Sequence, residues 1–137
     1  MALFYADASA LVKLVRDEPE SDALRAFLAD ADLVSSEVVL TEVLRAIRRA
    51  AAQDPRLAPD VLMVRAGEMV DAVALLPLDR TLLLAAGSLR EPAPRALGAI
   101  HLASALDLSP LDGFVCYDER PAADARLAGL RTMSPGA

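Results

Sequence analysis

Leu3-Phe4-Tyr5-Ala6-Asp7-Ala8-Ser9-Ala10-Leu11-Val12-Lys13-Leu14 is the stretch on which the fold turns. An apolar run with no polar alternation passes directly into an aspartate, and a helix-forming sequence follows without a spacer. The run is short enough for a buried parallel strand. Asp7 then stands where a strand hands over to a helix, at the carboxyl edge of the expected sheet, where open α/β sheets place their ligand crevices. Asp7 also suits a purely local role, because aspartate is a good N-cap and can accept from the backbone N–H of Ser9 or Ala10. A functional role requires other carboxylates that converge on the same edge.

Further along, strands and helices alternate. Helices are expected over Ala8–Arg16 and Glu20–Ala29, followed by a very short strand at Leu33-Val34-Ser35. Ser35 or Ser36 can cap a helix continuing to about Ala52, with Val39, Val43, Ala46, Ile47 and Ala50 as its apolar stripe. Helix follows over Pro59–Val73, strand over Leu75–Leu78, and helix over Arg80–Ser88. Pro77 favours an edge or a strand end. Past a proline-rich connector, Ala96–Leu106 reads as helix, Gly113–Tyr117 as buried strand, Arg120–Ala128 as helix and Leu130–Met133 as a last short strand. Such alternation calls for a parallel sheet with helices on both faces and right-handed crossovers.

A chain of 137 residues, 55% hydrophobic and 25% charged, fits one domain spanning 1–137. One cysteine allows no internal disulfide, which suits a reducing, cytoplasmic setting. No apolar run reaches membrane-span length, and the N-terminus lacks a basic segment leading a long apolar core, so neither membrane insertion nor secretion is expected. The net charge of −6 argues against broad, non-specific nucleic-acid binding but suits a basic protein partner. A mean hydropathy of +0.35 leaves apolar surface for a subunit contact.

Asp118 repeats the arrangement at Asp7: apolar strand, acid, helix. If the two strands are neighbours, both carboxylates share one edge; the alternative is again a cap or a turn. Glu42 lies within a helix among apolar neighbours, with only Arg45 at i+3 as a weak partner; the alternative is a solvated helix flank. His101, the single histidine, and Cys116 read most simply as a hydrogen-bonded structural residue and a core residue.

Taken together, these segments resemble the PIN-domain ribonucleases, and more narrowly the VapC toxins of bacterial VapBC toxin–antitoxin pairs. The resemblance rests on Phe4 through Leu14, on Ser35-Ser36 through Thr41-Glu42-Val43-Leu44-Arg45-Ala46, on Leu97 through Leu106 and on Phe114 through Arg120. It implies a PIN-like three-layer α/β/α sandwich around a short central parallel sheet of four to five strands. By the same resemblance, Asp7, Glu42 and Asp118 fall on the family's catalytic, metal-binding acids. The chain departs from the pattern at Gly98, where the family carries aspartate before Ala99-Ile100-His101. Two readings of Gly98 stand at this point: close packing against another backbone, or a lost ligand, whether by drift or as an introduced detoxifying change. Propensity offers no reason for it, since glycine within a helix costs about 1 kcal/mol relative to alanine.

Gathered carboxylates suit hard divalent ions, here Mg²⁺ or Mn²⁺. The implied activity is metal-dependent endoribonuclease cleavage leaving 5′-phosphate and 3′-hydroxyl ends, impaired by Gly98. Candidate phosphate contacts are Arg45, Arg49, Arg95 and Arg120. The implied partners are a VapB-type antitoxin, RNA and a second copy of the chain, with Pro59–Val73 as one contact surface. The alternative is a catalytically inactive PIN-fold module that binds an antitoxin or RNA. A phosphatase with an aspartate nucleophile is disfavoured, because Ser9 stands where its second acid is needed.

Overall fold

The computed structural model describes residues 1–137. Its elements run β1 (Ala2–Ala6), α1 (Ala8–Val15), α2 (Ser21–Leu28), β2 (Ala31–Ser36), α3 (Val39–Gln53) and α4 (Pro59–Asp71). The second half adds β3 (Ala74–Leu76), α5 (Arg80–Gly87), α6 (Ala96–Asp107), β4 (Gly113–Val115), α7 (Glu119–Leu127) and β5 (Thr132–Met133). The strands form one parallel sheet in the order β3-β2-β1-β4-β5.

Strand β1 is central because both of its faces are apolar. Phe4 and Ala6 join Leu11, Val15, Leu24, Val43 and Ile47 in a core built with α1 to α4. Tyr5, pointing the other way, packs with Phe114, Leu102 and Ala125 beneath α6 and α7. Its ring stacks on Phe114 at 5.3 Å between centroids. This two-sided burial makes the molecule a three-layer α/β/α sandwich.

The strand order reverses direction at β1, which pairs with β2 on one side and with β4 on the other. The crevice of such a sheet opens beyond the carboxyl ends at that switch point. Asp7 follows β1 and Asp118 lies just past β4, so the two strand–acid–helix junctions are neighbours. Backbone bonds hold that edge together: Asp7 N–H donates to Val115 C=O at 3.2 Å, and the Ser35 hydroxyl donates to Ala6 C=O at 2.6 Å.

Some boundaries differ from the sequence reading. Strand β2 begins earlier, at Ala31, because Ala31 to Val34 pair with Ala2 to Tyr5; Asp32 is tolerated at its exposed amino end. Neither Ser35 nor Ser36 caps α3, whose cap position is Val38 and carries no side-chain bond. The Ser35 hydroxyl is spent on β1, and Ser36 accepts from Val38 N–H at 3.2 Å in the turn before the helix. Strand β3 ends before Pro77 and lies at the sheet edge. Strand β4 stops at Val115, so Cys116 and Tyr117 belong to the loop leading to Asp118.

The central layer predicts its own sensitivity. Leu11 is fully buried where α1 meets the larger core. Leu11→Ala is expected to cost about 2–5 kcal/mol in urea unfolding; a loss below about 1 kcal/mol would mean that α1 is loosely packed.

Candidate functional site

Four helix amino-termini meet at the carboxyl edge of the sheet. Asp7 is the N-cap of α1 and Asp118 occupies the cap position of α7. Glu42 lies in the first turn of α3, and Gly98 is the third residue of α6. Asp7, Glu42, Asp118 and Gly98 line one recess of about 120 Å³, together with Ser9 and His101. The recess shares Ser9, Glu42 and Asp118 with a larger cleft of about 600 Å³. Helix amino-termini carry partial positive charge, so this edge favours anionic side chains.

The acids differ in how they are held. Asp7 is buried, and its Oδ1 accepts from the Ser9 hydroxyl at 2.6 Å and from Ala10 N–H at 3.2 Å. It therefore is a cap, as its residue type suggests, while also lining the recess. Burial pushes the Asp7 carboxyl above the usual range, and the Asp118 charge adds to this; the Ser9 and Ala10 bonds pull the other way without cancelling it. Ser9 also accepts from Tyr117 N–H at 2.9 Å, which ties the start of α1 to the loop before Asp118. Asp118 makes no capping bond and is exposed. A carboxylate at a cap position that does not cap is free to face the cavity.

Glu42 bonds neither Arg45 nor any other cation of its helix. Its Oε1 lies 2.6 Å from His101 Nε2, and His101 Nδ1 lies 2.7 Å from the Tyr5 hydroxyl. An ionised carboxylate only accepts, so Nε2 is the donor of that bond. Burial pushes the Tyr5 phenol up, so its hydroxyl keeps a proton to share with Nδ1. His101 is thus hydrogen-bonded and buried, as expected, but it also lines the recess, a placement the helix composition did not reveal. Cys116 is fully buried, and burial with the nearby Asp7 and Asp118 charges pushes its thiol up to about 12.

Gly98 is not held by close packing. A Cβ built there meets only the Pro94 Cβ, at 3.9 Å, an ordinary contact. The first turn of α6 holds no acidic residue, and its cap residue Arg95 makes no side-chain capping bond. An aspartate at Gly98 therefore finds both space and a favourable helix end.

Of the four candidate arginines, Arg45 and Arg49 line the larger cleft beside Thr41, Leu97 and Tyr117. Arg95 and Arg120 are not among its walls: Arg95 is an exposed helix-cap residue, and Arg120 donates to Ala93 C=O at 3.3 Å. Both sit on the approach to α6 and α7, outside the cleft. Lys13, unremarked in the sequence, does line it. Its ammonium bridges Glu18 and Glu20 at 2.9 Å each and lies 4.8 Å from the centre of the Tyr117 ring.

In kind, the donors of the recess suit a hard divalent ion, since all three acids offer carboxylate oxygens. Asp7 Oδ2 and Glu42 Oε2 take no part in the bonds that hold their partner oxygens. The ring is incomplete: no three or more Asp, Glu, His or Cys side chains draw close enough to enclose an ion. Gly98 lines the same recess and contributes no donor.

Comparison with known proteins agrees with this architecture. Residues 4–110 match the PIN domain. Ribonuclease VapC46 of Mycobacterium tuberculosis (strain ATCC 25618 / H37Rv) is 38% identical over 138 residues, covering 98% of this chain and 99% of its own. Among solved structures, VapC20 of M. tuberculosis, a sarcin–ricin loop cleaving toxin, superposes with a TM-score of 0.71 at 16% identity, over 96% of this chain and 99% of that one. VapBC2 of Rickettsia felis, solved bound to a DNA fragment from its promoter, superposes with a TM-score of 0.69 at 10% identity, over 97% and 98%. At those identities the superpositions speak to the fold alone.

The raised Asp7 carboxyl gives a pH signature. Above 3.8, its ordinary value, Asp7 is ionised in the unfolded chain but still protonated in the folded one until pH passes the higher folded value. Across that window the folded state binds more protons, so stability falls as pH rises. Asp7→Asn keeps a capping side chain and removes the buried charge. It is expected to melt at higher temperature than the original at pH 7 in metal-free buffer, with the gap shrinking toward pH 4. An equal gap at both pH values would contradict the burial argument.

Proposed function

The chain belongs to the PIN-domain family, within its VapC toxin branch, and from that premise we propose that it is a metal-dependent endoribonuclease of a type II toxin–antitoxin pair, impaired by Gly98. The observation that carries this reading is the shared recess: three carboxylates from distant parts of the chain line one small cavity, and the fourth position on its wall is a glycine with room for a side chain.

In this reading Asp7, Glu42 and Asp118 hold Mg²⁺ or Mn²⁺. The chemistry such an ion supplies is activation of a water and relief of charge developing at phosphorus. The chain's own contribution is orientation. Ser9 fixes one oxygen of Asp7, leaving the other for the recess. Asp118, exposed and not engaged as a cap, completes the outer rim. Arg45 and Arg49 line the adjoining cleft, where their guanidinium groups could meet the phosphates of an RNA backbone. With Gly98 in place the ion lacks one anionic partner, so binding is weak and turnover low. The incomplete ring also favours a second reading, a PIN-fold module that binds an antitoxin or RNA without cutting.

A VapB-type antitoxin is the partner proposed for this chain, supported by its similarity to VapC ribonucleases and by the acidic recess, which suits a basic segment. A second copy of the chain is proposed to pack on α4, where Val61 and Val64 are 52% and 62% exposed. Light scattering at micromolar concentration is then expected to return twice the 14.5 kDa chain mass; monomer alone would count against it.

Gly98→Asp separates nuclease from module. The variant is expected to fold as well as the original and to cleave total cellular RNA with Mg²⁺ or Mn²⁺. Because a first ligand is restored, the gain should exceed the roughly 10–100-fold that disturbing an outer partner costs. Asp118→Asn in the same background should return cleavage to baseline. An inert Gly98→Asp protein beside an original that cuts would end the argument from the missing acid.

A further inference from the structure

His101 is buried, yet neither of its ring nitrogens is spent on backbone. One meets Glu42 Oε1 at 2.6 Å and the other the Tyr5 hydroxyl at 2.7 Å. Tyr5 is itself fully buried, stacked on Phe114, and lies on β1 two residues before Asp7. The three side chains therefore form a rigid link from the strand that carries Asp7 to the helix that carries Glu42, passing through α6. His101 lies one turn past Gly98, on the same face of that helix. It lines the recess with Gly98 and both acids.

Glutamate has a long side chain with several free torsions, and a carboxylate at a partly exposed helix start samples many of them. Nothing on α3 restrains Glu42: Arg45, a turn further on, forms no ion pair with it, and His101 is the group it bonds. The bond takes one carboxylate oxygen and leaves the other for the recess.

We propose that His101 is a positioning residue, which fixes the Glu42 carboxylate at the recess in register with Asp7 and is itself fixed by the Tyr5 hydroxyl. The inference rests on the reading of Glu42 as an ion ligand, and it extends that reading to residues that touch neither ion nor RNA. Groups that orient a metal ligand from behind commonly matter nearly as much as the ligand itself.

The 137-residue chain tests this directly, because it holds a single histidine and the side-chain nitrogen spectrum is unambiguous. In metal-free protein, the His101 Nε2 proton is expected to exchange slowly and resonate downfield, and to lose both properties in Glu42→Ala. An Nε2 proton in fast exchange with water, or one indifferent to Glu42→Ala, would overturn the proposal. The second measurement is Mn²⁺ affinity by water-proton relaxation. His101→Ala should weaken binding by about 10–100-fold. His101→Gln, whose amide can still donate to Glu42, should recover most of it, and Tyr5→Phe, which deletes one oxygen and keeps the ring stack, should fall between. Circular dichroism confirms that each variant is folded. Equal Mn²⁺ affinity in His101→Ala and the original would overturn the proposal, as would a loss in His101→Ala that Gln does not relieve while Tyr5→Phe changes nothing. If the original binds no Mn²⁺, the ion reading itself fails, and the nitrogen spectrum still decides whether His101 holds Glu42.

Discussion

Carboxylates gathered in a small cavity repel one another, and the constraint this molecule meets is how to gather them and remain folded. Its answer is the sheet's carboxyl edge, where the amino-termini of α1, α3, α6 and α7 converge and present unpaired N–H groups and partial positive charge. Every acid of the recess sits at or within a turn of one of those ends. The strand order makes the meeting possible, because β1 and β4 pair directly and so bring Asp7 and Asp118 side by side. The cost is still visible at Asp7, whose carboxyl burial holds above its ordinary range. In the proposed reading, a divalent cation held in the recess would offset that cost.

The same constraint explains how differently the acids are treated. Asp7 lies deepest and is therefore the most fully bonded, with Ser9 and Ala10 on one oxygen. Glu42 reaches in from a helix flank and borrows its order from His101. Asp118 stands at the rim and needs no support, since water still reaches it. Gly98 completes the pattern by contrast. The first turn of α6 has the space and the polarity for a carboxylate, and nothing in the packing calls for glycine there.

Much of this was legible before any coordinates. A strand without polar alternation running straight into an acid is a strong local signal, and it occurs twice, at Asp7 and Asp118. Boundaries were less legible where backbone pairing overrides residue type: Asp32 lies in a strand because Leu3 lies opposite, not because aspartate favours strands. The capping role read into Ser35 and Ser36 failed for a related reason, since a hydroxyl on a central strand found a neighbouring carbonyl first. The helical context of His101 pointed to a structural residue, and the sequence held no sign that its partners, 96 and 59 positions away, were Tyr5 and Glu42. Arg95 and Arg120 looked equivalent to Arg45 and Arg49 because charge alone says nothing about which wall a side chain joins.

The central claim is that Asp7, Glu42 and Asp118 act together on one divalent cation. The most direct measurement is a crystal of the chain soaked in Mn²⁺ and recorded at the manganese absorption edge. The account predicts one anomalous peak in the recess, bounded by those three carboxylates, with no donor from Gly98. Ordered carboxylates with no peak at saturating Mn²⁺, or a peak elsewhere on the molecule, would contradict it.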